Sequence, residues 1–86
     1  MTRVRILYFA NLREKLGKAA EEIELPAGVA TVASLRDHLR GLGGAYAGAF
    51  AEKALLRAAV NQDMVQPAAT VKAGDEVAFF PPVTGG

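Results

Sequence analysis

Hydrophobic and polar positions alternate from the start of the chain. Arg3-Val4-Arg5-Ile6-Leu7-Tyr8-Phe9-Ala10, rich in β-branched and aromatic residues, reads as a first strand. Val4, Ile6 and Tyr8 share one face, and Arg5, Leu7 and Phe9 the other. Both faces turn apolar toward the end, which predicts a central strand covered on two sides. Asn11 then caps a short helix over Leu12-Arg13-Glu14-Lys15-Leu16, with Leu12 and Leu16 facing inward and Gly17 stopping it in the left-handed region. Arg13 points away from that face, as a solvated charge or a partner contact. Glu22-Ile23-Glu24-Leu25-Pro26 alternates again and predicts a second strand in a hairpin with the first.

After Pro26-Ala27-Gly28 the period changes. Val32, Leu35, Leu39 and Leu42 form one apolar stripe at helical spacing, which predicts the main helix from Val32 to about Leu42. Thr31 is its N-cap, although Ser34 stands where a capping box would carry Glu, and Gly43-Gly44 is the expected stop. Arg36 and Arg40 suit the C-terminal dipole, and His38 adjoins the stripe as a half-buried structural residue. Tyr46 and Phe50, four apart, predict one helical turn packing back on the core. A third strand over Leu56-Arg57-Ala58-Ala59-Val60, a turn at Asn61-Gln62-Asp63 and a short return at Met64-Val65 follow. Pro67 begins a loop, and Ala73-Gly74-Asp75 turns into the last strand, Glu76–Phe80. There Val77 and Phe79 take the core face, so Phe80 emerges on the opposite face as a candidate interface residue. Met64 fits either core packing or the same patch. The order is β-β-α-β-β-β, an α+β domain whose first and last strands run parallel at the centre of a mixed sheet of about five strands, crossed by one main helix.

Composition narrows the chemistry. The 86 residues make one small domain, and 51% hydrophobic content supports a core. A net charge of +1 carries no basic stripe, so nucleic acid is not an expected partner. No apolar run approaches the roughly 20 residues that cross a bilayer, and no signal-peptide pattern is present, so no membrane is expected and the chain is placed in the cytoplasm. With no cysteine there is no disulfide, thiolate zinc site or intrinsic thiol nucleophile, so sulfur chemistry would have to be loaded from outside. A single histidine, His38, makes no metal site without several carboxylates.

The stretch Pro81-Pro82-Val83-Thr84-Gly85-Gly86 has no ionisable side chain. Its expected charge is the terminal carboxylate. The prolines fix φ and remove two backbone donors, so the chain leaves the sheet there along an extended path. The glycines lack Cβ and pass through narrow channels. Six residues span roughly 20 Å, enough to enter another protein's active site. A frayed end is the plain alternative, but such ends are commonly polar and charged, and this one is neither.

That order and its diglycine end resemble the ubiquitin-like β-grasp fold. VRILYFANLRE (Val4 to Glu14), Ala59-Val60-Asn61 and above all GDEVAFFPPVTGG (Gly74 to Gly86) resemble the MoaD family of sulfur carriers, the small subunits of molybdopterin synthase. The resemblance implies residues 1–80 as the β-grasp domain and residues 81–86 as an extended diglycine tail. It implies that Gly86 is adenylated by a ubiquitin-activating-like adenylyltransferase (MoeB-like) using ATP, and then becomes a thiocarboxylate. The tail would enter the large subunit of molybdopterin synthase (MoaE-like) and donate sulfur to cyclic pyranopterin monophosphate, forming the dithiolene of molybdopterin. On this likeness the chain binds no cofactor and is no enzyme alone, the catalytic side chains lying in the large subunit. Gly85, Thr84, Val83, Pro82, Pro81, Phe80, Met64 and Arg13 are the expected partner-binding residues.

Three other readings share parts of this pattern. A carrier for thiazole or tRNA thiolation would differ in its acceptor, and the Pro-Pro-Val-Thr spacer and Phe-Phe pair favour the molybdopterin reading. A ubiquitin-like protein modifier would join lysines through Gly86 after the same acyl-adenylate. An interaction domain with an inert tail would do neither.

Overall fold

The computed structural model describes residues 2–82. Its elements are β1 (Arg3–Tyr8), α1 (Asn11–Leu16), β2 (Ala20–Glu24), α2 (Val32–Arg40), α3 (Ala45–Ala49), β3 (Arg57–Val60), β4 (Asp63–Val65) and β5 (Glu76–Phe80). The five strands form one sheet in the order β2-β1-β5-β3-β4. β1 and β5 are parallel neighbours at its centre, and the remaining pairs are antiparallel. This is the ubiquitin-like β-grasp, with the strand placement expected from the sequence.

Alternation along each strand sorts the residues onto two faces. Val4, Ile6 and Tyr8 of β1, Val77 and Phe79 of β5 and Ala58 of β3 pack with Leu12, Val32, Leu35, Leu39, Ala49 and Phe50 from the helical side. Phe50 is fully buried and meets the rings of Tyr8 and Phe79 edge-on, at centroid distances of 6.1 Å and 5.2 Å. The expected turn at Tyr46 and Phe50 is therefore real and anchors the core. The two-sided covering expected for β1 is not found: Leu7 is half-buried and Phe9 is 48% exposed. All the buried helical side chains gather on the other face, so among the described residues one face of the sheet stays open.

Local chemistry explains the remaining differences. Thr31 caps α2 as expected, its hydroxyl accepting from Ser34 N at 3.1 Å. Ser34 Oγ in return accepts from Thr31 N at 3.0 Å, so serine closes the box in place of glutamate. α2 ends at Arg40 with Gly41 as its C-cap, not at Leu42. Leu42 thereby leaves the stripe and is 51% exposed. Asn11 does not cap α1, because it is the first helical residue. The chain turns at Ala10 (φ 54°, ψ −132°), and no side chain caps that end. Gly44 takes nearly the same conformation (φ 56°, ψ −134°) before α3, a backbone region where glycine is at ease and alanine is not. β2 begins two residues earlier than the alternation suggested and stops at Glu24 before Pro26.

Candidate functional site

The last strand presents the site. β5 is bonded on both sides, to β1 with Tyr8 opposite Phe79 and to β3 with Arg57 opposite Phe80. Beyond Phe80 come the half-buried Pro81 and Pro82, which cannot donate to a ladder. The chain thus leaves the sheet from its middle.

Cross-strand registers place a row of side chains on the open face. Leu7 lies opposite Ala78, Ala78 opposite Ala59, and Ala59 opposite Met64. Phe80 shares that face, two residues along β5 from Ala78. Phe9, one step past the paired Tyr8 and Phe79, is tied there by its N–H donating to Phe79 O at 3.3 Å. Phe9, Leu7, Ala78, Phe80 and Met64 thus form a largely apolar end of the open face, beside the exit of the chain, with the exposed Arg57 opposite Phe80 at its β3 side. The opposite end is charged, with Arg3, Arg5, Glu22, Glu24 and Glu76. Arg3 pairs there with Glu24 at 3.3 Å, a surface contact of little energetic weight.

Of the residues expected at the site, Met64 is 59% exposed and on the open face, which resolves its two readings against core packing. Phe80 does emerge on that face but is half-buried rather than exposed, flanked by β3 and by the prolines. Arg13 is exposed on α1, which packs against β5, and makes no side-chain hydrogen bond or ion pair among the described residues. Val83, Thr84, Gly85 and Gly86 lie outside the described residues. Phe9 was missed as a site residue because the alternation assigned its face to a second covering layer.

Two polar clusters escaped sequence reading, since each joins residues distant along the chain. Glu21 Oε2 accepts from Tyr8 Oη at 2.6 Å and Tyr46 Oη at 2.7 Å, while Lys18 Nζ donates to Glu21 Oε1 at 3.2 Å and to Tyr46 Oη at 3.0 Å. Burial, reinforced by its bond to Glu21, pushes the Tyr8 hydroxyl far above its ordinary value. For Glu21, partial burial opposes ionisation, but the donors Tyr46, Tyr8 and Lys18 outweigh it and hold the carboxyl below its ordinary value. The second cluster is the buried Asp75, which accepts from Asn61 Nδ2 at 3.0 Å and Lys72 N at 2.9 Å. It fastens the β3–β4 turn to the turn before β5. Both clusters are closed within the fold by their own hydrogen bonds. Among the described residues no group of three His, Asp or Glu side chains could hold a metal, and no helix is long and apolar enough to cross a membrane.

The model of the ThiS family matches residues 6–86. The chain belongs to the ThiS family. Among relatives of this ThiS-family chain, the molybdopterin synthase sulfur carrier subunit of Haemophilus influenzae is 43% identical over 83 residues, 96% of this chain and 99% of that protein. The molybdopterin synthase sulfur carrier subunit of Escherichia coli is 45% identical over the same spans. Among solved structures, a putative molybdopterin converting factor subunit 1 from Pyrococcus furiosus superposes with a TM-score of 0.77 at 33% identity, covering 96% of this chain and all of that one. The ThiS-family match thus runs through the β-grasp body and onward to Gly86.

Proposed function

We propose that this ThiS-family chain is the sulfur-carrier subunit of a molybdopterin synthase, with Gly86 as its reactive residue. The observation that carries the reading is the 43–45% identity over 96% of the chain to two carriers of that kind. The geometry supports it, because the strand that leads to the diglycine is clamped on both sides and ends beside an apolar patch. Residues 1–80 act as the body and residues 81–86 as the tail.

The chemistry follows from the tail's composition. A carboxylate at Gly86 is a poor electrophile, so an ATP-consuming, MoeB-like adenylyltransferase first converts it to an acyl-adenylate, from which sulfur displaces AMP. The resulting thiocarboxylate is the nucleophile that forms the dithiolene on cyclic pyranopterin monophosphate. Holding it inside the MoaE-like large subunit makes the transfer effectively unimolecular. Gly85 and Gly86 let both partners close around the backbone, while Pro81 and Pro82 reduce the entropy lost on insertion. Val83 and Thr84 give the tail its reach. Phe80, Met64 and Phe9 supply the apolar contact that docks the body, with Arg13 at the rim. The chain contributes no side-chain acid or base, and needs no cofactor of its own.

Reconstitution tests this directly. The full chain is incubated with the activating enzyme, ATP and a sulfur donor, and then with the large subunit and the pterin precursor. The expected result is an intact mass raised by one sulfur-for-oxygen exchange, followed by dithiolene formation, both abolished by deleting Gly86. Loaded protein that yields no dithiolene overturns the acceptor assignment. Lysine adducts that vanish with Gly86 would mark a protein modifier instead.

A further inference from the structure

A cleft of about 580 Å³ opens where β3 begins and β4 ends, between α2 and the loop that precedes β3. Leu55, Leu56, Met64, Val65, Pro67 and Pro82 give it an apolar lining. Leu55 and Met64, 77% and 59% exposed, are the two most exposed large apolar side chains of the described residues. Leaving both in water at one cleft mouth sacrifices burial that each could gain against a partner. Met64 also belongs to the open-face patch, and Pro82 lies just past the point where the chain leaves the sheet. The cleft is therefore continuous with the docking surface described above and turns the corner of the sheet from it.

Its charges are almost all engaged. Three guanidiniums and two carboxylates line it. Arg36 Nη2 donates to Ala51 O and Ala54 O, both at 2.7 Å, and so holds the loop onto α2. Arg40 pairs with Asp37 at 3.2 Å and Glu52 at 3.8 Å, which engages both carboxylates. Arg57 stands opposite Phe80 in the β3–β5 register and makes no side-chain hydrogen bond or ion pair among the described residues. The cleft thus offers an apolar floor and one uncommitted cation beside the tail exit. A small-molecule site would converge several polar groups on its ligand, and here one is free.

We infer that this cleft is a second docking subsite, which receives from the large subunit a short segment bearing an aliphatic side chain next to a carboxylate. The aliphatic group lies against Leu55, Leu56 and Pro67, and the carboxylate pairs with Arg57. The inference rests on the proposed function, since it names the partner of the same surface. Burying Leu55 and neutralising Arg57 occur only in the complex, so the subsite holds the body in place while the tail is inserted. It also separates a partner with an acidic, apolar segment from one without it.

The test measures affinity of the full chain for the purified large subunit by titration calorimetry at low and moderate salt. Leu55→Asp and Arg57→Glu are each expected to weaken binding by tenfold or more. Arg57→Glu should lose most at low salt, and Arg57→Lys should restore much of the loss. Both positions are exposed, so the thermal midpoint should stay that of the parent, which excludes misfolding as the cause. Adenylation by the activating enzyme should proceed at the parental rate. Parental affinity in both variants, alongside loss of binding in Phe80→Ala, overturns the subsite and leaves the proposed function standing. Impaired adenylation with intact large-subunit binding overturns the choice of partner. No binding by the parent chain sinks both.

Discussion

Glu21 concentrates three donors on one carboxylate, and its position decides how the protein responds to acid. The Tyr8 and Tyr46 hydroxyls and the Lys18 ammonium reach it from β1, α3 and the loop before β2. Its folded-state pKa lies below the ordinary 4.5, so its contribution is complete above that value and is lost as pH falls through the folded one. For Tyr8 the pKa is raised, so its contribution is complete below 10 and is lost only as pH rises through the higher folded value. Glu21→Gln should therefore lower stability at pH 7 by about 1–3 kcal/mol, the scale of hydrogen bonds to a charged group. Urea melts of the parent and variant should converge once the pH has fallen below that folded value; an undiminished gap there would remove Glu21 from the account. Nothing local announced this cluster. Glu21 and Tyr46 stand 25 positions apart, and the alternation that predicted the second strand begins only at Glu22. The Thr31–Ser34 box, by contrast, was half legible: the cap was evident, and only the ability of a serine hydroxyl to return the bond was not.

Elements were most legible where period and punctuation agreed. β1, β5 and α2 carry long apolar repeats, and their pairing and burial follow. Helix ends were harder, because Leu42 continues the helical spacing although the backbone stops at Gly41. The β3–β4 hairpin turns on Asn61 and Gln62, both with positive φ at 50° and 73°. Such a pair of left-handed residues matches the twist of a hairpin, and asparagine with glycine is its preferred filling. Asn61 is held there by bonds to Asp75 and Glu76. Gln62 has no comparable tie among the described residues and carries the steric cost of its Cβ. Gln62→Gly should raise stability by about 0.5–1 kcal/mol, read as a higher denaturant midpoint at unchanged slope. A lower midpoint would mean that the glutamine side chain stabilises the turn.

At the scale of the whole molecule, a single helical layer over one sheet face leaves the other face for use, and its two ends differ in character. The sequence carried the alternation behind this division but not the absence of a second layer, which is why Phe9 read as buried. Met64→Lys should leave the thermal midpoint within a degree or two of the parent, because the side chain is 59% exposed, while weakening large-subunit binding severalfold. Calorimetry on the folded variant checks both; unimpaired binding would detach Met64 from the docking surface. Of the site, the apolar end and its residues lay within reach of a careful reading, whereas the cleft around Leu55 depended on how the loop after α3 folds onto Arg36. The flanking of β5 by a parallel neighbour and an antiparallel one has a mechanical consequence. A pull applied beyond Phe80 along the strand axis would load its lateral bonds together in shear instead of peeling them singly. In the proposed complex, a partner that draws on the tether would therefore leave the globule attached to it in shape.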